Sequence, residues 1–399
     1  MKKLIALMLA LVLVLSLAAC AGGTAGESDK TADNAENTAS SDSDTVKIGV
    51  NNTFTGGSAA GGELEGRGID LAAKYCDTVL GKKVEVIKAD NKTDKVEAAT
   101  VTTKLVDSDH VCAVIGSYGS ALTMASAEIL KDREVVGMSC SATNPNVTAD
   151  NPWQFRVCFI DTFQGEIMAQ YAYNQGYRHI GILRELTNDF CVGLASYFSN
   201  TFTKLTGDEN SVTVVDFQTG DQEFTSQIST LMQGEPDAIF IPFPTNIGDI
   251  PVFAKQLHQM GYNVPLLSSD GCEVQDMIDV GGEDVEGLYF TTFFDTAMQA
   301  NESTKLFLER YAEVYGADAV PSAFEVLAYD SYNILLDAIE QAGSDDPTAI
   351  RDALKAMVDW EGAGGTVTFD ENNNPSKPAV IKVIQDGKFT YVDTVTLED

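Results

Sequence analysis

Short apolar runs alternate with helix-like stretches along most of this chain, and this alternation restricts its fold more than any other feature. Between residues 46 and 139, apolar runs such as Val111–Ile115 and Val135–Met138 are separated by stretches in which apolar residues recur at helical spacing. Parallel strands joined by helices on both faces of a sheet produce this pattern. The rhythm restarts after residue 153 and continues to Ser268, which predicts two doubly wound α/β units.

The chain changes character after the second unit. Helical patterns follow one another without intervening strands, and then strand-like segments return, with Asp386–Gly387 predicting a tight hairpin. This order suggests that two lobes exchange segments, and the roughly 355 residues of the region suit two domains. We assign residues 45–158 and 293–365 to a first lobe, and residues 159–292 and 366–399 to a second lobe.

The N-terminus has the pattern of an export signal. Lys2 and Lys3 precede the apolar run Leu4–Leu17, which is too short to span a membrane, and small residues lead to Cys20. This resembles a bacterial lipoprotein signal, in which residues 1–19 are removed and the thiol of Cys20 is lipidated. An ordinary signal peptide cut nearby is the alternative, and both predict a protein that works outside the cytoplasmic membrane. Residues 20–44 contain no aromatic residue, Ile or Leu, and are predicted to be a disordered tether.

Composition excludes several functions. A net charge of −33 argues against nucleic acid as a partner, because its binding needs clustered Lys and Arg. The three histidines are far apart, and the chain contains no P-loop and no G-x-S-x-G motif, so we predict no metal, no cofactor and no catalytic residue. Six cysteines besides Cys20 contain no C-x-x-C pair, and the sequence leaves buried thiols and disulfides both open.

Two corners of small polar residues follow neighbouring predicted strands. The first runs from Gly116 to Ser120, and the second from Ser139 to Thr143. Because parallel strands end at the same sheet edge, both corners are expected on one side of a binding crevice. Hydroxyl groups and free backbone N–H groups at a helix start suit an anion such as a carboxylate.

Five segments of the sequence resemble the motifs of a known protein family. The chain resembles the amino-acid-binding, type I periplasmic binding proteins of branched-chain amino-acid ABC transporters, in matching order from Val46 to the C-terminus. The matching segments are Thr55–Gly61, Ser139–Pro145, Asp189-Phe190 before Gly193, Ser268–Gly271 and Ala328–Ser331.

The resemblance implies two doubly wound lobes joined by three crossovers, with a ligand cleft between them. It implies that Ser120, the Ser141–Ala142 corner and Thr143 hold the carboxylate of an amino acid. Ser120 and Thr143 also have a simpler interpretation, since hydroxyl side chains at helix starts commonly act only as caps.

The opposite wall is expected to supply the complementary charge. By the resemblance, Asp270 pairs with the ligand ammonium group and Phe190 stacks on the ligand. A zwitterion requires donors on one wall and an acceptor on the other. The alternatives are that Asp270, which precedes a glycine, only forms a turn and that Phe190 belongs to the core.

The sequence departs from the family at two places in the expected pocket. The family often has an aromatic residue in the first loop near Gly61, where the nearest aromatic here is Phe54. Asn246 or Ile247 occupies the place of a ligand-facing tyrosine. Leucine, isoleucine or valine is therefore only the default ligand.

We therefore expect a monomeric, membrane-tethered solute-binding protein that captures an apolar amino acid and delivers it to ABC permease subunits. One alternative is the same fold with an amide, urea or aromatic acid as ligand. A sensory ligand-binding module and an extracellular enzyme of the α/β class are the others.

Overall fold

The computed structural model describes residues 44–298 and 300–396. Over these residues the chain forms two mostly parallel sheets with helices packed against them. The predicted signal 1–19, the lipidation site Cys20 and the tether up to residue 43 lie outside the described residues, as do residues 397–399 of the predicted second lobe.

The first sheet is built from a regular alternation of strands and helices. Its elements are β1 Thr45–Asn52, α1 Ala59–Tyr75, β2 Thr78–Val79, β3 Lys82–Asp90, α2 Lys95–Asp107, β4 Ala113–Ile115, α3 Ser120–Arg133, β5 Val136–Ser139 and β6 Gln154–Arg156. The strand order is β2-β3-β1-β4-β5-β6, parallel except for the β2–β3 pair. The order reverses at β1, and ligands of open α/β sheets bind beside such a reversal.

The second sheet repeats this plan and ends in two antiparallel strands. Its elements are α4 Asp161–Asn174, β7 Ile180–Glu185, α5 Asp189–Thr206, β8 Val212–Phe217, α6 Thr225–Met232, β9 Ala238–Phe240, α7 Asp249–Gln259, β10 Leu266–Ser268, α8 Gln275–Gly281 and β11 Tyr289–Thr292. Two later strands, β14 Ala379–Gln385 and β15 Lys388–Val395, complete the sheet. The strand order is β15-β14-β11-β10-β9-β7-β8, which again reverses next to β7. The two doubly wound units predicted from the sequence are confirmed.

The chain then returns to the first lobe before it completes the second sheet. The remaining elements are α9 Glu302–Tyr315, α10 Ala323–Ala342, α11 Pro347–Ala356, β12 Trp360–Gly362, β13 Gly365–Val367, β14 Ala379–Gln385 and β15 Lys388–Val395. Helix α10 packs along α1, and Gly68 allows the close approach, because a Cβ there would lie 2.2 Å from the carbonyl oxygen of Glu325. Within the described residues the chain crosses between the lobes three times, after β6, β11 and β13.

The predicted lobe boundary at residue 366 falls too early. Strand β13 pairs with β12 rather than with the second sheet. The ring of Phe369 packs edge-on against Phe155 of β6, with 5.1 Å between centroids, and the Asn373 side chain donates to the carbonyl of Gln154. The segment therefore stays with the first lobe until shortly before β14. The residue pattern of a short strand predicts its extended conformation but does not identify the strand with which it pairs.

The hairpin predicted at Asp386–Gly387 is confirmed. Both residues have positive φ angles, 53° and 65°, as a two-residue hairpin turn of type I′ requires. Glu286 accepts hydrogen bonds from both of their backbone amides. The turn is thereby attached to the loop before β11.

The short strands next to the cleft are buried on both faces. On β4, Ala113 and Ile115 belong to one apolar cluster, while Val114 belongs to another with Leu105 and Leu130 of α2 and α3. Each large apolar side chain buried in this way contributes roughly 1.5–3 kcal/mol. These contacts hold the ends of the strands in place, and the site residues follow directly after those ends.

Candidate functional site

A cavity of about 150 Å³ lies between the two lobes, beyond the carboxyl ends of the parallel strands. Such a volume suits a small molecule, since an engineered cavity of this size holds benzene. Its first wall includes Tyr118, Ser120, Leu122, Ser141 and Thr143, and its second wall includes Asn188, Phe190, Phe243, Thr245 and Asp270. Five of the sequence-predicted site residues are therefore brought together here: Ser120, Ser141, Thr143, Phe190 and Asp270.

Ser120 begins α3 and faces the cavity from the first wall. Its hydroxyl oxygen accepts a hydrogen bond from the backbone amide of Asn144 at 3.2 Å. Because the oxygen is used as an acceptor, the hydroxyl hydrogen remains available to a ligand. This position suits donation to an anion, and the N-terminus of α3 adds to the favourable field.

Ala142 does not line the cavity, although its two neighbours do. Its amide donates to the hydroxyl oxygen of Ser139 at 3.0 Å, and its carbonyl accepts from the buried guanidinium of Arg156 at 2.8 Å. The same guanidinium also binds the carbonyl of Asn144 at 2.9 Å. Both backbone polar groups of Ala142 are thus paired within the protein, whereas Ser141 and Thr143 line the cavity.

Ser141 connects the cavity to a carboxyl group that sequence reasoning missed. Its hydroxyl lies 2.5 Å from Oε1 of Glu65, which is 0% exposed on α1. Burial raises the pKa of Glu65 to about 7, and hydrogen bonds from Ser141 and Asn52 oppose this rise. A sequence signal existed, because Glu65 shares the buried face of α1 with Ile69 and Ala72 at helical spacing.

Thr143 is backed by a second buried carboxyl group. Its carbonyl accepts from the backbone amide of Asp161 at 2.9 Å. Burial raises the pKa of Asp161 to about 8, and a hydrogen bond from the Thr143 side chain opposes this rise. Asp161 is therefore mainly protonated at neutral pH.

Asp270 faces the cavity from the second lobe, directly after β10. Its side chain is buried, and its Oδ1 accepts a hydrogen bond of 2.6 Å from the Gln164 side chain on α4. Burial raises the pKa of Asp270 to about 7, and the bond from Gln164 partly offsets this effect. A ligand cation beside it would favour the ionised form.

Phe190 lies in the first turn of α5 and lines the cavity. The helix begins at Asp189, because Asn188 caps it. The Asn188 side chain accepts from the amides of Phe190 at 3.0 Å and Cys191 at 3.5 Å. The cap thus positions the aromatic ring at the cleft.

Two further aromatic residues line the cavity that the sequence did not indicate, Tyr118 and Phe243. Each lies against a glycine that leaves room for its ring. A Cβ at Gly61 would lie 2.2 Å from the Tyr118 ring, and one at Gly271 would lie 2.2 Å from the Phe243 ring. The glycines of the two motifs therefore allow close packing of these rings.

Phe54 and Asn246 do not line the cavity. The Phe54 ring lies against Gly66 of α1, with the Lys88 ammonium 5.8 Å from its centroid. The carbonyl of Asn246 accepts from the amide of Asp249 at 3.1 Å, at the start of α7. Both residues therefore make contacts within the protein outside the lining of the cavity.

The two lobes touch across the mouth of the cleft. The Ser58 hydroxyl donates to the carbonyl of Thr245 at 2.9 Å, and Lys95 pairs with Asp189 at 3.0 Å. The Asn144 side chain also donates to the carbonyl of Asp189 at 3.3 Å. These contacts join segments of opposite lobes, so the structure has the closed arrangement of the cleft.

Residues 44–298 and 300–396 contain no cluster of His, Cys, Asp and Glu suited to a metal ion. None of the helices within those residues is long and apolar enough to cross a membrane. The cysteines in the same range are free thiols: Cys76, Cys112, Cys140, Cys158, Cys191 and Cys272.

Two doubly wound lobes that close on a small cavity define a two-lobed, ligand-enclosing binding protein. A family model described as periplasmic binding protein matches residues 45–388, and the chain belongs to this family. Membership implies that the protein works outside the cytoplasm. The fold and the family expected from the sequence are thus confirmed.

Several relatives of the chain are named as binding proteins for branched-chain amino acids. The chain is similar to a solved leucine-binding protein, LivK, from Thermotoga maritima, with 37% identity and a TM-score of 0.85 over 88% of this chain and 99% of that one. LivJ from Streptococcus pneumoniae, solved with isoleucine, has 29% identity and a TM-score of 0.80 over 88% and 99%. Leu/Ile/Val-binding protein homolog 2 of Brucella abortus is 25% identical over 87% of this chain and 93% of its own length.

Proposed function

We propose that this protein captures an amino acid with an apolar side chain in the cleft and delivers it to an ABC permease. The observation that carries the proposal is the arrangement of opposite polarities across the cavity. The first wall offers Ser120 and the Ser141–Thr143 corner, and the second wall offers the carboxyl group of Asp270.

This arrangement suits the α-carboxylate and α-ammonium groups, which amino acids share. The free hydroxyl hydrogen of Ser120 is available to an α-carboxylate, and Asp270 is available to an α-ammonium group. Charge-assisted hydrogen bonds of this kind are roughly twice as strong as neutral ones. A ligand that binds both walls also favours the closed lobes over the open ones.

The rest of the cavity suits an apolar side chain. Leu122, Phe190 and Phe243 contribute apolar surface, and the volume of about 150 Å³ favours a small ligand over a peptide or sugar chain. Relatives named for leucine, isoleucine and valine, and the isoleucine complex of LivJ, support a branched-chain amino acid.

Calorimetric titration of the soluble protein with each common amino acid tests this proposal. We expect the tightest binding for a branched-chain amino acid. In Asp270→Asn the affinity should fall by about 10- to 150-fold, because a hydrogen bond to a charged group is lost. Asp249→Asn is the matched control, since Asp249 is equally buried in the second lobe and its pKa is also raised to about 7, but it lies outside the cavity.

An aromatic acid is the second candidate ligand, because Tyr118, Phe190 and Phe243 surround the cavity with rings. A Rhodopseudomonas palustris protein of the same fold, 20% identical with a TM-score of 0.76, was solved with benzoate. Such a ligand lacks an ammonium group. Binding of benzoate with undiminished affinity in Asp270→Asn would therefore replace the amino-acid proposal.

We also propose that Cys20 carries a lipid that anchors a monomeric protein to the outer face of the cytoplasmic membrane. Metabolic labelling with an alkyne fatty acid should mark the wild type, and Cys20→Ala should abolish the label and release the protein from membranes. Uptake of the radiolabelled ligand in a deletion strain should be restored only when the permease genes are intact. A preserved ligand response without uptake would favour a sensory role.

A further inference from the structure

Glu65 lies directly behind the first wall of the cleft, on the buried face of α1. Its side chain is 0% exposed, and no cation within the described residues acts on it. An isolated carboxyl group in such surroundings is costly to ionise. Its hydrogen bonds to Asn52 and Ser141 therefore decide where a proton on it can lie.

Asn52 determines the role of one oxygen of Glu65. The side-chain oxygen of Asn52 accepts from the backbone amides of Thr53 and Tyr118, both at 2.8 Å. Backbone amides can only donate, so these two bonds settle the orientation of the Asn52 side chain. Its nitrogen must then donate to Oε2 of Glu65 at 2.8 Å. Any proton on Glu65 consequently lies on Oε1.

Oε1 of Glu65 lies 2.5 Å from the hydroxyl oxygen of Ser141, and one hydrogen must lie between them. If Glu65 is ionised, Ser141 donates this hydrogen and presents only lone pairs to the cavity. If Glu65 is protonated, it donates to Ser141, and the serine hydrogen is free to point at a ligand. The proton on Glu65 thus decides whether Ser141 is an acceptor or a donor.

Building on the proposed amino-acid function, we propose that Glu65 is a positioning residue that takes up a proton when a ligand carboxylate binds against Ser141. The proton lets the Ser141 hydroxyl donate to the carboxylate. Without it, the carboxylate would meet the lone pairs of Ser141 and the negative charge of Glu65 behind them. An acceptor facing an acceptor and two like charges at short range both disfavour binding.

The proton equilibrium of Glu65 is suited to this role. Burial raises its pKa to about 7, so the free protein contains both forms at neutral pH. A bound carboxylate raises the pKa further, because it is a like charge. Through Glu65 alone, affinity is therefore greatest below about pH 7 and is lost as pH rises through the pKa of the bound state.

Other titratable groups face Glu65 from neighbouring elements. Tyr118 lies before α3, Cys140 follows β5 and Cys158 follows β6. Burial raises the pKa of each of these groups, so all three stay neutral between pH 5.5 and 8.5. On α10, which packs along α1, Glu325 forms an ion pair of 3.0 Å with Arg67.

Two further carboxyl groups complete the set, and of these Asp270 lines the cavity. Asp161, behind Thr143, has a pKa raised to about 8 by burial. Asp270 has a pKa raised to about 7 by burial, and it must ionise to hold a ligand ammonium group, which makes affinity fall at low pH. The wild type should therefore bind best near neutral pH, with an acid limb from Asp270 and an alkaline limb to which Glu65 contributes first and Asp161, with the higher pKa, contributes at higher pH.

The test measures the dissociation constant of the tightest amino acid from pH 5.5 to 8.5 by calorimetry. In Glu65→Gln, the carboxamide oxygen can accept from Asn52 while its nitrogen donates to Ser141, which imitates the protonated state at every pH. We expect the fall in affinity above pH 7 to be smaller than in the wild type, because Asp161 alone then contributes to it, and the affinity at pH 6 to stay within about threefold of wild type. Asp249→Asn, the matched buried carboxyl outside the cavity, should keep the alkaline limb.

A second measurement needs no Glu65 variant. Titration at pH 7.5 in buffers of different ionisation enthalpy counts protons, and the wild type should take up protons on binding. In Ser141→Ala this number should fall by at least half. An alkaline limb as steep in Glu65→Gln as in the wild type, or no proton uptake by the wild type, would overturn the inference while leaving amino-acid binding intact. Absence of amino-acid binding at every pH would instead overturn the proposed function.

Discussion

The ammonium group of Lys95 lies 3.0 Å from the carboxylate of Asp189 and so joins the first lobe to the second at the mouth of the cleft. Both side chains are more than half exposed, at 54% and 56%. Exposed ion pairs typically contribute about 0.2–1 kcal/mol. This pair therefore stabilises the closed arrangement of the lobes, and only weakly.

Replacing Lys95 with Ala should weaken ligand affinity by up to about fivefold at low salt, because the closed state loses this pair. Faster ligand dissociation in stopped-flow experiments should account for most of the change. Lys92→Ala is the control, since Lys92 pairs with Glu97 at 3.0 Å within the first lobe. Equal effects of the two substitutions would show that Lys95 affects affinity through the net charge of the protein and not through its pair with Asp189.

Arg156→Lys should lower both stability and ligand affinity. Arg156 is 0% exposed and holds the carbonyls of Ala142 and Asn144, which an ammonium group cannot bind in the same geometry. We expect a loss of about 1–3 kcal/mol in the free energy of unfolding and at least tenfold in affinity. Urea unfolding and calorimetry measure the two effects. A destabilised variant with unchanged affinity would show that Arg156 does not shape the corner.

Glu273→Ala should destabilise the fold by about 3 kcal/mol, because it breaks a buried ion pair. Glu273 lies 3.0 Å from Lys382, and both side chains are almost fully buried. Glu273 also accepts from the amide of Ala323 at the start of α10, so it links the two lobes. The exposed pair of Lys305 and Glu302 is the control, and Glu302→Ala should change stability by less than about 0.5 kcal/mol.

Asp161→Asn should make the protein more stable than the wild type at pH 8. Burial raises the folded-state pKa of Asp161 to about 8. Below the unfolded-state pKa the group is protonated in both states, and its full contribution to the free energy of unfolding is present. That effect is lost as pH rises through the folded-state value. We expect a difference of about 1 kcal/mol or more in urea unfolding at pH 8 and little difference at pH 4. A difference independent of pH would mean that Asp161 is ionised in the folded protein.

Much of the site could be predicted because it lies at the ends of strands. Ser120, Ser141, Thr143 and Asp270 all follow apolar runs, and the ends of parallel strands converge at one edge of a sheet. That convergence depends only on the order of elements, which the alternation of the sequence already determines. The same reasoning could not extend to loop residues such as Asn246, which does not line the cavity.

The sequence by itself determined the two α/β units, the hairpin at Asp386–Gly387 and the strand ends that carry the cleft. Only the tertiary structure decided which groups at those ends face the ligand. Arg156 turns Ala142 away from the cavity, and Glu65, 76 residues before Ser141, reaches its hydroxyl. The physical reason is that periodicity reports local conformation, whereas the direction and polarity of a hydrogen bond depend on partners that only folding brings together.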